Sequence, residues 1–197
     1  MAALAPVPQT IGIFPQLFAK GPETLVLKEH VLSFTGDDYS IKLANGTPIL
    51  HVKGKVISIH GRKKVSDMQG NHLFSIIKEH FHIHTTFKVE DAKGAKIMEV
   101  KSSFKLIGSK ATSTFTSQNG TQEVLTMRGN FFDTSADIID EAQGGIVVAR
   151  INRKILSGKD IFLGQQTYGV QIAPDVDMAL IAALCICLDE KNNEPKG

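Results

Sequence analysis

Short apolar runs and polar turns follow one another along residues 24 to 172, and the turns recur at a fixed interval. Glycines with hairpin character fall at Gly46, Gly70, Gly94, Gly120 and Gly144, separated by 24, 24, 26 and 24 residues. Each closes a polar turn, among them Asn45-Gly46, Gln69-Gly70, Lys93-Gly94, Asn119-Gly120 and Gln143-Gly144. A polar residue before glycine, set between apolar runs, marks a hairpin because the turn needs positive φ. A strand-like run follows every turn, for example Leu73-Phe74-Ser75-Ile76-Ile77 and Glu123-Val124-Leu125-Thr126-Met127. Further β-rich stretches lie between, such as Val56 to His60 and Phe81 to Phe87. Two strands per unit predict an antiparallel meander of about a dozen strands.

Two of the units match residue by residue. Ile59-His60, Lys64-Val65, Asp67 and Gly70 return 24 positions later as Ile83-His84, Lys88-Val89, Asp91 and Gly94. A meander this long leaves costly edges unless it closes, so the pattern predicts a mainly β fold built as a closed antiparallel barrel.

The last segment changes period. Ala173-Pro174-Asp175-Val176-Asp177 carries a proline and two acids suited to a helix N-terminus, and an uninterrupted apolar run from Met178 to Leu188 follows. The expected helix spans about 174–188, before Asp189 to Asn193 end it. A helix apolar on every side must be buried on every side, and a barrel of about twelve strands is too wide for wall side chains alone to fill. The helix is therefore expected at the barrel's centre, with Ala179, Ala182 and Ala183 allowing close approach to the wall. At eleven residues the run spans about 16 Å, against the roughly 30 Å of a bilayer core, so no transmembrane span is expected.

This gives a division into an extended N-terminal arm (1–23), a barrel domain with its central helix (24–190) and a short tail (191–197). Pro6, Pro8 and Pro15 keep the arm from being helical, and it has neither the basic start nor the continuous apolar stretch of a signal peptide. Such an arm packs on the domain or stays mobile.

Composition narrows the class. A chain of 197 residues, 42% hydrophobic, suffices for one well-cored domain. Its 22 basic and 20 acidic residues leave a net charge of +2, which argues against nucleic acid as a partner but leaves room for a local basic patch. Cys185 and Cys187, two apart on a helix, point in different directions and read as buried hydrophobes of a reducing compartment. A cytoplasmic location is expected, with peripheral attachment to a membrane left open.

The segments Leu73-Phe74-Ser75-Ile76 with Phe81-His82-Ile83-His84, Asp160-Ile161-Phe162-Leu163-Gly164, and the closing stretch Tyr168 to Asp177 and Leu188-Asp189 resemble the LURP-one-related proteins. That family's fold is similar to the tubby C-terminal domain and to phospholipid scramblases. The resemblance covers roughly residues 25 to 190 and implies a twelve-stranded barrel around a hydrophobic C-terminal helix. By analogy it implies binding of a phosphoinositide, or scramblase-like lipid handling. The scramblase type of calcium site calls for an acidic loop before the last helix. Gln165-Gln166-Thr167-Tyr168 stands there instead, which speaks against calcium dependence.

Candidate chemistry is sparse. His80, His82 and His84 alternate and would share one strand face, a possible metal site with Glu90 as a further ligand, as in a cupin-like metal-dependent barrel enzyme. No histidine follows His84, so the second cupin motif is missing. Both cysteines sit in the apolar helix, where burial makes a thiol inert. There is no nucleophile elbow, and Gly61-Arg62-Lys63-Lys64 lacks the Ser or Thr of a phosphate-binding loop. Asp137, Asp140 and Glu141 read as solvated charge beside a turn. The basic groups are Arg62, Lys63 and Lys64, with Lys53 and Lys55 nearby, then Lys101, Lys105 and Lys110, and finally Arg150, Arg153 and Lys154. The expectation is a non-enzymatic binding module, without cofactor. Its partner would be an acidic phospholipid headgroup or a protein, and Arg62, Lys63 and Lys64 form its anionic contact.

Overall fold

The structure is a computed structural model that describes residues 3–28, 39–54, 62–79, 85–104, 109–129, 135–152 and 167–192. Twelve strands follow in order: β1 (Glu23–Lys28), β2 (Tyr39–Leu43), β3 (Pro48–Gly54), β4 (Lys63–Ser66), β5 (His72–Glu79) and β6 (Thr85–Asp91), then β7 (Lys96–Phe104), β8 (Ser109–Thr116), β9 (Gln122–Gly129), β10 (Ser135–Asp140), β11 (Ile146–Asn152) and β12 (Thr167–Ile172). Each pairs antiparallel with its sequence neighbours, and β12 pairs with β1 over Glu23↔Ile172 to Lys28↔Thr167 to close the barrel. Among the described strands none is left as an open edge.

The 24-residue period is visible as geometry. Gly70 and Gly94 sit at φ +86 and +85, where a side chain would be strained, and each amide donates to the carbonyl of the aspartate three residues back. The aspartate side chains complete the turns: Asp67 Oδ1 accepts from the amides of Gln69 and Asn71, and Asp91 Oδ1 from those of Lys93 and Ala95. The pairing register slips in the β2–β3, β4–β5 and β6–β7 hairpins, between Ile41 and Lys42, Val65 and Ser66, and Val89 and Glu90, and again in β10–β11 between Ile138 and Ile139, while β8–β9 keeps its register. The first three bulges keep the same spacing as the glycines, and all tighten the strand twist that closure requires. Within the matched units, Ile59, His60, Ile83 and His84 lie outside the described residues.

One inward-facing row crosses six strands as Lys63, Ile76, Val89, Met98, Phe115 and Glu123. Its middle is apolar and its two ends are charged, because strand tilt carries the row from one mouth of the barrel to the other. All five glycine turns lie at one mouth, here the glycine end. At the far end β3, β5 and β7 finish and β4, β6 and β8 begin.

The helix α1 (Met178–Asn192) starts at the glycine end and runs through the barrel to the far end. Every residue from Met178 to Glu190 is buried. Ala179, Ala182 and Ala183 are fully enclosed, and α1 packs against β1, β6 and β7. Each large aliphatic side chain removed from water here contributes about 1.5–3 kcal/mol. The helix begins later than the sequence pattern suggests, since Asp175, Val176 and Asp177 bond to the N-terminal arm instead, with Asp175 at φ +66. It also continues past Asp189 and Glu190, because at Glu190 the charge meets a partner inside the barrel.

The arm packs on the barrel. Leu4, Val7, Ile11, Leu17 and Ala19 belong to the main core, and a 3-10 turn over Pro15–Leu17 bends the chain across the glycine end. Ile11 bridges Val176 and Phe18 bridges Asp177, so the arm adds a layer beneath the helix start.

Leu184→Asp places an unpaired charge in the middle of this core, at a cost on the order of 5 kcal/mol. The variant is expected not to fold, and a soluble protein with a cooperative thermal transition would refute the central-helix packing.

Candidate functional site

Alternation along β4 divides the three consecutive basic residues. Lys63 points into the barrel and is 5% exposed, whereas Lys64 points out and is exposed. Inside, Lys63 Nζ lies 3.0 Å from Glu190 Oε2, near the end of α1. The contact is one of charge, too poorly aligned to count as a hydrogen bond. It pins the exit of the helix to the wall at the far end.

Outside, Lys64 stands directly opposite Lys53 of β3, and both are exposed. Arg62, just before β4, reaches Glu90 at 3.2 Å, and Glu90 also accepts Lys88 at 2.6 Å. One strand further, Glu99 joins Lys96 at 3.2 Å to Lys101 at 2.6 Å. The Lys101 bond holds the Glu99 carboxyl below its ordinary range. This face thus sets Lys53, Arg62, Lys64, Lys88, Lys96 and Lys101 against Glu79, Glu90 and Glu99, leaving it positive. Arg62 and Lys64 share it, and Lys63 does not.

The glycine end has the opposite character. Asp177 is fully buried yet accepts four backbone N–H bonds. Oδ1 takes those of Ala179 (2.9 Å) and Leu180 (3.4 Å), which caps the helix, and Oδ2 takes those of Ile13 (3.0 Å) and Phe14 (2.8 Å), which holds the arm. Burial pushes the carboxyl up to about 6 while these bonds pull it down. Gly12 threads the narrow space alongside. At φ +149 a Cβ there would collide with the Asp177 Cβ and lie 2.7 Å from Phe18 Cε1.

Glu123 of β9 and Asp140 of β10 are both buried, 1% and 0% exposed, and Glu123 Oε1 accepts from Gln143 Nε2 at 3.4 Å. Burial first, then Asp140, pushes Glu123 up to about 7, and bonds from Ser117 and Gln143 oppose the shift. Among the ion pairs between described residues, none reaches Glu123, Asp140 or Asp177. Asp140, expected as solvated charge, is instead fully buried with Oδ1 accepting from the Ala142 amide, because the bulge after Ile138 turns it inward. Its two companions do face outward: Asp137 accepts Arg150 at 2.6 Å across β10 and β11, and Glu141 accepts Arg128 at 3.3 Å.

His80, His82 and His84 lie outside the described residues, as do Lys55, Lys105, Arg153 and Lys154. Cys185 and Cys187 are free and fully enclosed in α1, and burial raises both thiols far above their ordinary value. No described helix is long and apolar enough to cross a membrane.

Sequence reading missed the carboxyl pair and the Gly12–Asp177 contact. Glu123 did give a signal, as an acid at an inward position between Gln122 and Val124. The other partners are distant in the chain and carry no local mark.

Residues 23–189 match the LURP-one-related family. The chain is similar to the Arabidopsis thaliana protein LURP-one-related 15, with 24% identity covering 98% of this chain and 92% of that one. It is also similar to Arabidopsis thaliana protein LURP1, at 22% identity over 86% of this chain and 84% of that one. The crystal structure of an Arabidopsis thaliana protein shares the fold, with a TM-score of 0.61, 17% identity, and coverage of 93% of this chain and 99% of that one.

Two outcomes are expected from this geometry. Lys63→Ala leaves Glu190 buried and unpaired, and should cost about 3–5 kcal/mol in chemical denaturation, against less than about 1 kcal/mol for Lys64→Ala. Equal costs would contradict the inward placement of Lys63. For pH, Glu123 rises from an ordinary 4.5 to about 7 and Asp177 from 3.8 to about 6, so between those values the folded state binds more protons than the unfolded one. Their contribution is full at acidic pH and lost as pH rises through about 6 to 7. Differential scanning calorimetry should show a lower melting temperature above pH 7 than below 6, with a smaller fall in Glu123→Gln.

Proposed function

This chain belongs to the LURP-one-related family, and on that footing we propose that it is a non-enzymatic binding module whose positive outer wall at the far end takes an acidic ligand, a phosphorylated lipid headgroup above all. The observation that carries this reading is the Lys53–Lys64 pair. Two exposed cations directly opposite on neighbouring strands offer one anion two charge contacts. Arg62, with its side chain half exposed, stands next to Lys64 in the chain and supplies the planar donor that suits a phosphate. Each such cation near an anionic leaflet contributes about 1 kcal/mol, so a cluster of this size supports reversible attachment at the cytoplasmic face of a membrane. Lys63 serves the same site indirectly, by tying β4 to the end of the helix. The enclosed thiols of Cys185 and Cys187 offer no nucleophile, which favours binding over catalysis.

Flotation with liposomes, with and without phosphoinositide and at two salt concentrations, tests the proposal. Binding is expected only with the acidic lipid, weakening as salt rises. The double variant Arg62→Glu with Lys64→Glu should abolish it and still melt cooperatively. Undiminished binding by that variant would retire this wall as the site. No binding to any liposome would reject the lipid headgroup and leave a protein partner as the occupant.

A further inference from the structure

Two units of the repeat put the same backbone position to different use on the positive wall. Lys64-Val65-Ser66 of β4 matches Lys88-Val89-Glu90 of β6, and the register slips at the same step in both, after Val65 and after Val89. Lys64 and Lys88 therefore take equivalent outward places. Two positions on, one unit carries a serine and the other a carboxylate. Glu90 Oε1 lies 2.6 Å from Lys88 Nζ, and Oε2 lies 3.2 Å from Arg62 Nη2. A single carboxylate thus bridges two cations, one from its own strand and one from the start of β4, two strands away. The outward row Lys53, Lys64, Ser75 and Glu90 sets it about 10 Å from Lys64 across β5. Its side chain is 13% exposed, at the surface of the wall, with Arg62 half exposed beside it.

From this geometry we infer that Arg62 and Lys88 form a phosphate subsite of the wall, and that Glu90 is a built-in stand-in for the ligand whose displacement selects a phosphomonoester headgroup over a singly charged one. The inference rests on the reading of this wall as the site for an acidic lipid. A carboxylate and a phosphate both present two anionic oxygens to a pair of cations, so the contacts that hold Glu90 suit either. Ion pairs on an open face contribute little, because water screens them, and an incoming anion breaks these two contacts at low cost. Exchange favours the incomer only if it brings more charge than it replaces, since Glu90 stays tethered nearby on β6. A headgroup with a single negative charge merely repeats what Glu90 supplies. A phosphomonoester brings about −1.5 to −2 and three acceptor oxygens. Lys64 has Ser66 in the equivalent place, so it attracts any anion, and the discrimination comes from the Arg62–Glu90–Lys88 bridge.

Flotation of the full chain tests this, using phosphatidylcholine vesicles that carry either phosphatidylserine or a phosphatidylinositol monophosphate, matched in total charge. The parent protein is expected to prefer the phosphomonoester by about fivefold or more, the effect of one further charge contact. Glu90→Gln should gain phosphatidylserine binding, so that its preference falls towards unity. Glu99→Gln is the control for net charge. It removes one carboxylate from the same wall, but that carboxylate joins Lys96 and Lys101 of its own strand, and the parent's preference should survive. An unchanged preference in Glu90→Gln, or an equal loss in Glu99→Gln, would overturn the stand-in and leave the wall as the site. No binding of either the parent or Glu90→Gln to any vesicle would reject the wall and the subsite together. Inorganic phosphate added at constant ionic strength should leave flotation intact, and release by it would overturn the headgroup as the ligand.

Discussion

The helix at the centre of the barrel begins at a carboxylate with no access to water, and much of the molecule is arranged around satisfying it. Asp177 caps the first turn of α1 and at the same time collects the amides of Ile13 and Phe14. An apolar helix can lie inside a barrel only if the polar groups at its ends are bonded, because unpaired donors there cost as much as several buried side chains contribute. One carboxylate with two oxygens meets that condition for the helix and for the arm together. Gly12 is the consequence in sequence: the backbone passes so close to Asp177 that no other residue fits.

The opposite end solves the same difficulty differently. There the helix is still inside the wall at Glu190, two residues before its end, and the charge is met by Lys63 from β4. A buried pair of this kind adds little net stability compared with apolar packing, but it is costly to break. Its effect is to fix the register between helix and wall. The two mouths consequently differ in chemistry, with carboxyls under an uncharged arm at one and cations on the outer wall at the other. That polarity gives the two ends of the barrel distinct chemistry.

The strand count, the closure and the buried helix were all legible before any coordinates, because period-two alternation, recurring turn glycines and an apolar run are local patterns. Even the details of the repeat carried through. Lys64 and Lys88 both face outward, Val65 and Val89 inward, and Asp67 and Asp91 bond their own turns, as a repeated unit on a repeated backbone should. The helix boundaries were less legible. Asp175 and Asp177 look alike in sequence, yet Asp177 is the cap and Asp175 lies exposed at positive φ, its carbonyl bonded to the Ile11 amide.

Sequence by itself determined the architecture here, since each strand and the helix announce themselves through the burial pattern of their own residues. Which charges meet was decided by tertiary structure alone. Nothing near Lys63 in the chain says that it faces Glu190, nothing near Glu123 names Asp140, and the arm is over a hundred positions from the hairpin that holds it. Those relations depend on strand register, tilt and closure, which bring distant residues to the same mouth of the barrel. The charges are neutralised by whatever closure places beside them.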